Sequence, residues 1–257
     1  MCKEDFMFIK EKDPIVFLVK FVRPKFASDF MNGNLYFDSL EHIHEIEQTT
    51  GISKWGDIND GKRKHKLNNN DQKAQVTISP SPNKHIIFPG KYFSDVSLTL
   101  SMSEDNYKSY GITCFVALRL SDFYPVSDHS YKLKIMTYND LIKMQEGIRK
   151  VFLIPDIGSF EHQLKTTNLK FGSVHYYDIR LLSPEKFRRL NNNPMELPFH
   201  KENKFAYQRE YRILKSLKDG SKMTLPFLKT SIKETSMLYL KRYTFTFTNL
   251  YVTNDEL

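Results

Sequence analysis

The sequence predicts an α+β fold of mixed, mostly antiparallel sheets with a few short peripheral helices. Three observations predict it. The chain carries 20 Phe and 14 Tyr against a single Trp in 257 residues, and aromatics bury large areas and favour strands. Hydrophobic residues make up 40% of the chain, enough for a substantial core. Strand-like runs lie far apart with few helices between them, which argues against a doubly wound parallel sheet.

Each element has a local cause. Ile15 to Arg23 is β-branched and aromatic, hence a strand. Pro24 suits a first helical turn. Phe26, Ala27, Phe30 and Met31 then share one helical face, and Gly33 stops the helix. Leu35 to Phe37 reads as a short strand, and Asp38 or Ser39 caps a helix from Leu40 to Glu47. Short strands are expected over Ala74–Ser79, His85–Phe88, Val96–Met102, Gly111–Leu120 and Tyr131–Met136, punctuated by Pro80, Pro82, Pro89 and Gly90. Asp140–Ile148 reads as a helix, Arg149–Ile154 as a strand, and Phe160–Lys165 as a helix. Gly172–Asp178 reads as a strand, and Ser183-Pro184 opens a helix that runs to Leu190. Tyr211–Leu214, Ser236–Leu240 and Tyr243–Tyr251 read as strands, the last with the strict alternation Phe245-Thr246-Phe247-Thr248.

No composition shift marks a boundary, so residues 1–257 are expected to form one compact domain. Residues 1–12 are expected to be flexible and 49–72 to be a long polar loop. Long loops in compact domains are functional or disordered. The net charge of +8, from 38 Lys+Arg and 30 Asp+Glu, attracts polyanions. Lysines are spread through every segment, as on an ordinary Lys-rich surface. The best cluster, Lys62-Arg63-Lys64-His65-Lys66, reads as part of the solvated loop.

Several chemistries lack their residues. Cys2 and Cys114 give neither a disulfide framework nor a metal cluster, and Cys114 sits in an apolar run as a small hydrophobe. There is no P-loop, G-x-G-x-x-G or H-E-x-x-H. His42 and His44 are spaced for different helix faces, so no metal site is expected. Asp57, Asp60 and Asp71 are the acidic loop set that a nuclease would need, and their spacing is not diagnostic. No run approaches a bilayer span, so a cytoplasmic location and no membrane partner are expected.

The densest ionisable stretch runs from Phe199 to Leu214. If Gln208 to Ile213 is extended, Gln208, Glu210 and Arg212 share one face, where Arg212 would hold the Glu210 carboxylate ionised. The bland alternative is an edge-strand ion pair worth little.

The chain resembles a group of uncharacterised bacterial and phage proteins. The likeness rests on the first strand and short helix up to Leu35-Tyr36, the turn Gly56-Asp57 to Asp60-Gly61, Val174-His175-Tyr176, and the terminal Lys201…Tyr207-Gln208-Arg209-Glu210-Tyr211-Arg212. The layout more distantly resembles the ADP-ribosyltransferase fold, with Arg23, Ser97-Leu98-Thr99 and Gln208-Arg209-Glu210 in that family's chain order. The resemblance implies NAD or a related nucleotide as substrate. It makes Glu210 and Gln208 catalytic, and Arg23, Ser97, Thr99, Arg212, Lys201 and Tyr207 substrate-binding. A guanidinium can hold a pyrophosphate bidentately, and a carboxylate can stabilise an oxocarbenium-like charge.

The competing expectation is a non-enzymatic protein that inhibits or senses a bacterial defence complex. Its interface candidates are Trp55, Tyr107 and Tyr110, with Tyr124 beside them. A nucleic-acid partner is the third expectation, resting on charge alone.

Overall fold

The computed structural model describes residues 13–50, 60–66, 75–81, 84–89, 97–145, 147–167, 169–180 and 184–247. Expectations for residues 1–12, Cys2, Trp55, Asp57, Asp71 and 248–251 lie outside the described residues.

In chain order the first elements are β1 (Ile15–Val22), α1 (Pro24–Met31), β2 (Asn34–Tyr36), β3 (Asp38–Ser39) and α2 (Leu40–Thr50). Next come β4 (Lys62–Lys66), β5 (Gln75–Ser81), β6 (Lys84–Pro89), β7 (Ser97–Ser101) and α3 (Glu104–Ser109). The middle holds β8 (Tyr110–Arg119), β9 (Phe123–Ser127), β10 (Ser130–Leu133), α4 (Ile135–Met144), β11 (Lys150–Ile154) and α5 (Ile157–Thr166). Then follow β12 (Lys170–Ser173), β13 (His175–Tyr177), α6 (Pro184–Asn192), β14 (His200–Glu202) and β15 (Glu210–Ser216). The last are β16 (Lys222–Thr224), α7 (Pro226–Ser231), β17 (Lys233–Thr235), α8 (Met237–Arg242) and β18 (Phe245–Thr246). The fold is α+β. No described helix is long and apolar enough to cross a membrane.

Where one compact domain was expected, contacts divide the chain into two compact units. Unit 1 is Met1–Ser39, Ser109–Ser173 and Tyr207–Leu257; unit 2 is Leu40–Lys108 and Val174–Ala206.

Unit 1 is organised on a seven-stranded sheet in the order β12-β15-β8-β1-β11-β17, with β3 also pairing β8. All of its pairs are antiparallel. Both faces are apolar, which is why β1 reads as nearly continuous hydrophobics. One face carries Leu18, Val22, Phe115, Phe152, Tyr211 and Ile213 against Ala27 and Phe30 of α1, Phe160 and Leu164 of α5, and Leu228 of α7. The other carries Val19, Phe21, Val116 and Leu153 against Leu141 of α4, Leu240 of α8, and Phe245 and Phe247. Full burial of each such side chain is worth about 1.5–3 kcal/mol. The alternation read in the terminal run holds as far as it is described: Phe245 and Phe247 are buried and Thr246 is exposed.

β1 leaves β8 after the pair Val19–Val116, and β3 takes up β8 again at Ile112. Lys20 lies in that gap. Its ammonium donates to the Thr113 hydroxyl at 2.8 Å and to the Cys114 carbonyl at 2.6 Å, replacing ladder bonds that β1 no longer supplies.

Unit 2 contains the pairs β4–β7 and β5–β6, both antiparallel, and the parallel pair β13–β14. β4 corrects the loop expected over 49–72. Arg63 and His65 point inward while Lys62 and Lys64 stay half-exposed, so the segment follows the two-residue period of a strand.

Candidate functional site

In unit 1 the start of β15 is held by a charged clamp. Arg209 adopts φ 46°, a left-handed conformation unusual for a side-chain-bearing residue. Its Nε donates to Asp122 and its Nη1 to Asp140, each at 2.9 Å, and Nη1 also meets the Tyr207 carbonyl. The two carboxylates raise the guanidinium above its ordinary value against the opposing effect of burial. Asp122 further accepts from the Arg119 amide at 2.9 Å and the Thr137 hydroxyl at 3.0 Å. The Arg209 carbonyl accepts from the Ala117 amide at 2.7 Å, which locks the bent residue to β8. Strained backbone held this firmly is a recurrent mark of functional positions.

Glu210 follows directly. Its Oε2 accepts from Nε of Arg212 at 2.5 Å, and the two residues are 9% and 1% exposed. The same-face geometry expected of Gln208, Glu210 and Arg212 is present only for Glu210 and Arg212: Gln208 ends a 3-10 turn over Asn203–Gln208 and Arg209 is left-handed, so the strand begins at Glu210. The pair is buried, so it is not the weak edge-strand ion pair of the bland alternative. Gln208 is buried beside it and Tyr207 is half-buried.

Arg23 is exposed at the end of β1 and occupies the N-cap of α1 without a side-chain capping bond. It lines an open recess of about 540 Å³ with Pro24, Lys25, Ile148 and Arg149. Three cations thus gather at the positive end of a helix. Arg23 and Glu210 are not adjacent. Glu210 stands level with Val116 and Val19, while Arg23 lies about 13 Å further along the strand direction, two strands away.

Lys20 stands between these regions in the electrostatic sense. Burial pushes its ammonium down to about 8; Arg149 adds to the depression, while Cys114 and the Glu210 carboxylate oppose it. Its side chain also lies over the Phe115 ring, 4.9 Å from the centroid.

The remaining expected substrate-binding residues belong to unit 2. Ser97 and Thr99 are exposed on β7, opposite Lys66 and Lys64. Lys201 is sealed in the interior, 4.0 Å from Asp60, with both side chains 2% exposed. Among the interface candidates, Tyr107 is half-buried; its hydroxyl donates to the Asp60 carbonyl at 3.2 Å and its ring meets His44 at 4.7 Å. Burial and the nearby Asp60 push its hydroxyl pKa upward. Tyr110 belongs to unit 1, half-buried on β8, and Tyr124 is exposed on β9.

Sequence reasoning missed the charged interior of unit 2. Arg63, 8% exposed, donates through Nη1 to Nδ1 of buried His200 at 2.9 Å and lies 4.1 Å over the Tyr177 ring. His200 lies against exposed His175, with ring centres 5.4 Å apart and ring planes tilted by 38°. The available signal was the alternation of Lys62 to Lys66, with Arg63 and His65 at the odd positions between lysines. Among the described residues no group of three or more His, Cys, Asp or Glu could hold a metal ion. No family model, curated protein or solved structure matches the chain.

Proposed function

We propose that unit 1 binds a nucleotide through its phosphates in the recess of Arg23, Lys25 and Arg149, and that the protein acts as an ADP-ribosyltransferase-like enzyme on NAD. The observation that carries this reading is the gathering of these cations at the uncapped N-terminus of α1. The Arg23 carbonyl accepts from the Phe26 amide at 2.9 Å, while its guanidinium makes no side-chain capping bond, so the fork is available to a phosphate.

Glu210 is the carboxylate of the proposed chemistry. The bond between C1′ of the ribose and nicotinamide breaks, nicotinamide leaves with the electron pair, and positive charge grows at C1′ as the acceptor approaches. A carboxylate held ionised by Arg212 stabilises that charge. Gln208 and Tyr207 supply polar groups beside it.

Calorimetric titration with NAD tests the reading. Wild type should bind, and Arg23→Gln should bind about 10-fold or more weakly, the loss expected for one charge-assisted contact. Nicotinamide release should fall in Glu210→Gln with binding retained, because the carboxylate acts mainly in the transition state. Absence of NAD binding, or equal binding by wild type and Arg23→Gln, overturns the proposal and leaves the protein–protein alternative.

A further inference from the structure

Unit 2 contains a buried positive charge that has no negative partner among the described residues. β4 alternates, so Arg63 is turned inward and is 8% exposed. Its neighbours are the Tyr177 ring and the Nδ1 atom of His200. Among the described residues it meets no carboxylate. Arginine does not shed its proton in proteins, even though burial pulls this guanidinium below its ordinary value. Interior charges are ordinarily paired, because taking a bare ion out of water costs several kcal/mol.

His200 cannot serve as the counter-charge. The guanidinium only donates, so Nδ1 of His200 accepts and the proton of the neutral ring sits on Nε2. Burial is the main cause holding this imidazole neutral, down to about 3, with Arg63, His175, Arg189 and Lys186 all acting in the same direction. His200 is therefore a second donor, 5% exposed, at the same place.

The surroundings reinforce the sign. β13 sets His175 opposite His200, and His175 is exposed at the rim. Burial first, then the exposed Lys186 and Arg189 of α6, and Arg63 hold His175 below its ordinary value; Glu196 opposes them. That carboxylate is engaged by Arg189 at 3.0 Å. The local set is thus two arginines, a lysine and two histidines against one glutamate.

We infer that Arg63, His200 and His175, with Lys186 and Arg189 at the rim, form a binding site for a terminal phosphate group of a small ligand. The planar fork of Arg63 and Nε2–H of His200 would each take a phosphate oxygen, and the rim cations would hold the second charge. The depth of Arg63 selects a terminal phosphate. A phosphodiester, flanked by chain on both sides, could not bring its oxygens down to a group so nearly sealed. This site lies wholly in unit 2 and does not depend on the Arg23 recess of unit 1.

The experiment is a titration of the full chain followed through the imidazole signals of His175 and His200 by NMR. The probes are inorganic phosphate, 5′-AMP and adenosine. Phosphate and 5′-AMP should shift both imidazoles with saturation at about millimolar concentration, and should raise the pH at which His175 titrates. Adenosine should leave both unmoved. Arg63→Gln should weaken the response at least 10-fold, while Arg23→Gln should leave it unchanged. Should Arg63→Gln fail to fold, the exposed variants Lys186→Gln and Arg189→Gln carry the test, each expected to weaken binding several-fold. Unmoved signals with phosphate, equal responses to 5′-AMP and adenosine, or undiminished binding in the substituted proteins would overturn the inference.

Discussion

The ion pair between Glu210 and Arg212 sets the hardest quantitative test of unit 1. Its Nε to Oε2 separation is 2.5 Å and its members are 9% and 1% exposed. Replacing either residue by Met removes a charge that its partner is positioned to neutralise. Breaking a buried pair from one side costs about 3–5 kcal/mol, whereas replacing both members with apolar groups of similar volume is often near neutral. Each single variant should therefore lose about 3–5 kcal/mol, a large share of a typical domain's total. Melting should fall by about 6–20 °C at the sensitivity expected for a chain of this size. Glu210→Met/Arg212→Met should sit well above the sum of the singles, with a coupling of at least about 2 kcal/mol. Urea unfolding, followed by exchange of β8 and β15 amides, measures all three proteins in one unit. If the two single losses simply add in the double variant, the residues are not a coupled pair and the electrostatic role assigned to Arg212 is wrong.

Three further outcomes follow from other contacts. Gly33 has φ +84°, and a Cβ there would stand 2.5 Å from the Leu225 carbonyl oxygen, so Gly33→Ala should cost more than about 1–2 kcal/mol in thermal unfolding. Lys20 titrates at about 8 when folded against 10.5 ordinarily, so the unfolded chain holds more protons between those values and stability gains as pH rises through that window. Lys20→Met should lose this rise in urea unfolding; an identical pH profile would contradict the burial described. His200, held down to about 3 from 6.5, gives stability that is complete above 6.5 and is lost as pH falls toward 3. Wild type should lose about 2 kcal/mol more than His200→Gln between neutral pH and about pH 4.5.

Local chemistry made much of unit 1 legible. Pro24 and Gly33 bracket α1 as expected, and β1 and β8 fall where the β-branched and aromatic runs lie. The errors have local causes. Ser236–Leu240 forms α8, not a strand, because Ser236 caps it by accepting from the Tyr239 amide at 3.1 Å. The expected strand from Tyr131 to Met136 ends at Leu133, and α4 begins at Ile135. Lys134 caps that helix without a side-chain bond, so no start signal was written in the sequence. Gly172–Asp178 splits at Val174 into β12 and β13, which pair with different partners. Among the site residues, Glu210 and Arg212 were readable because period-two alternation puts them on one face. Arg209's clamp was not, since Asp122 and Asp140 reach it from distant parts of the chain. Arg63 was hidden by its lysine neighbours, whose charge suggested solvent while their spacing suggested a strand.

Unit 1 is assembled from three stretches of chain separated by the two stretches of unit 2. Its β15 is a central strand, yet it arrives in the last of those stretches. During synthesis, β8 therefore emerges long before its partner and must wait with one edge bare. Closing loops of such length slows the pairing and lengthens the interval in which apolar strands can meet other chains. A chain ended after Ala206 would contain all of unit 2 but only an unfinished sheet. Truncation near that point would expose a sticky edge rather than yield a smaller folded protein.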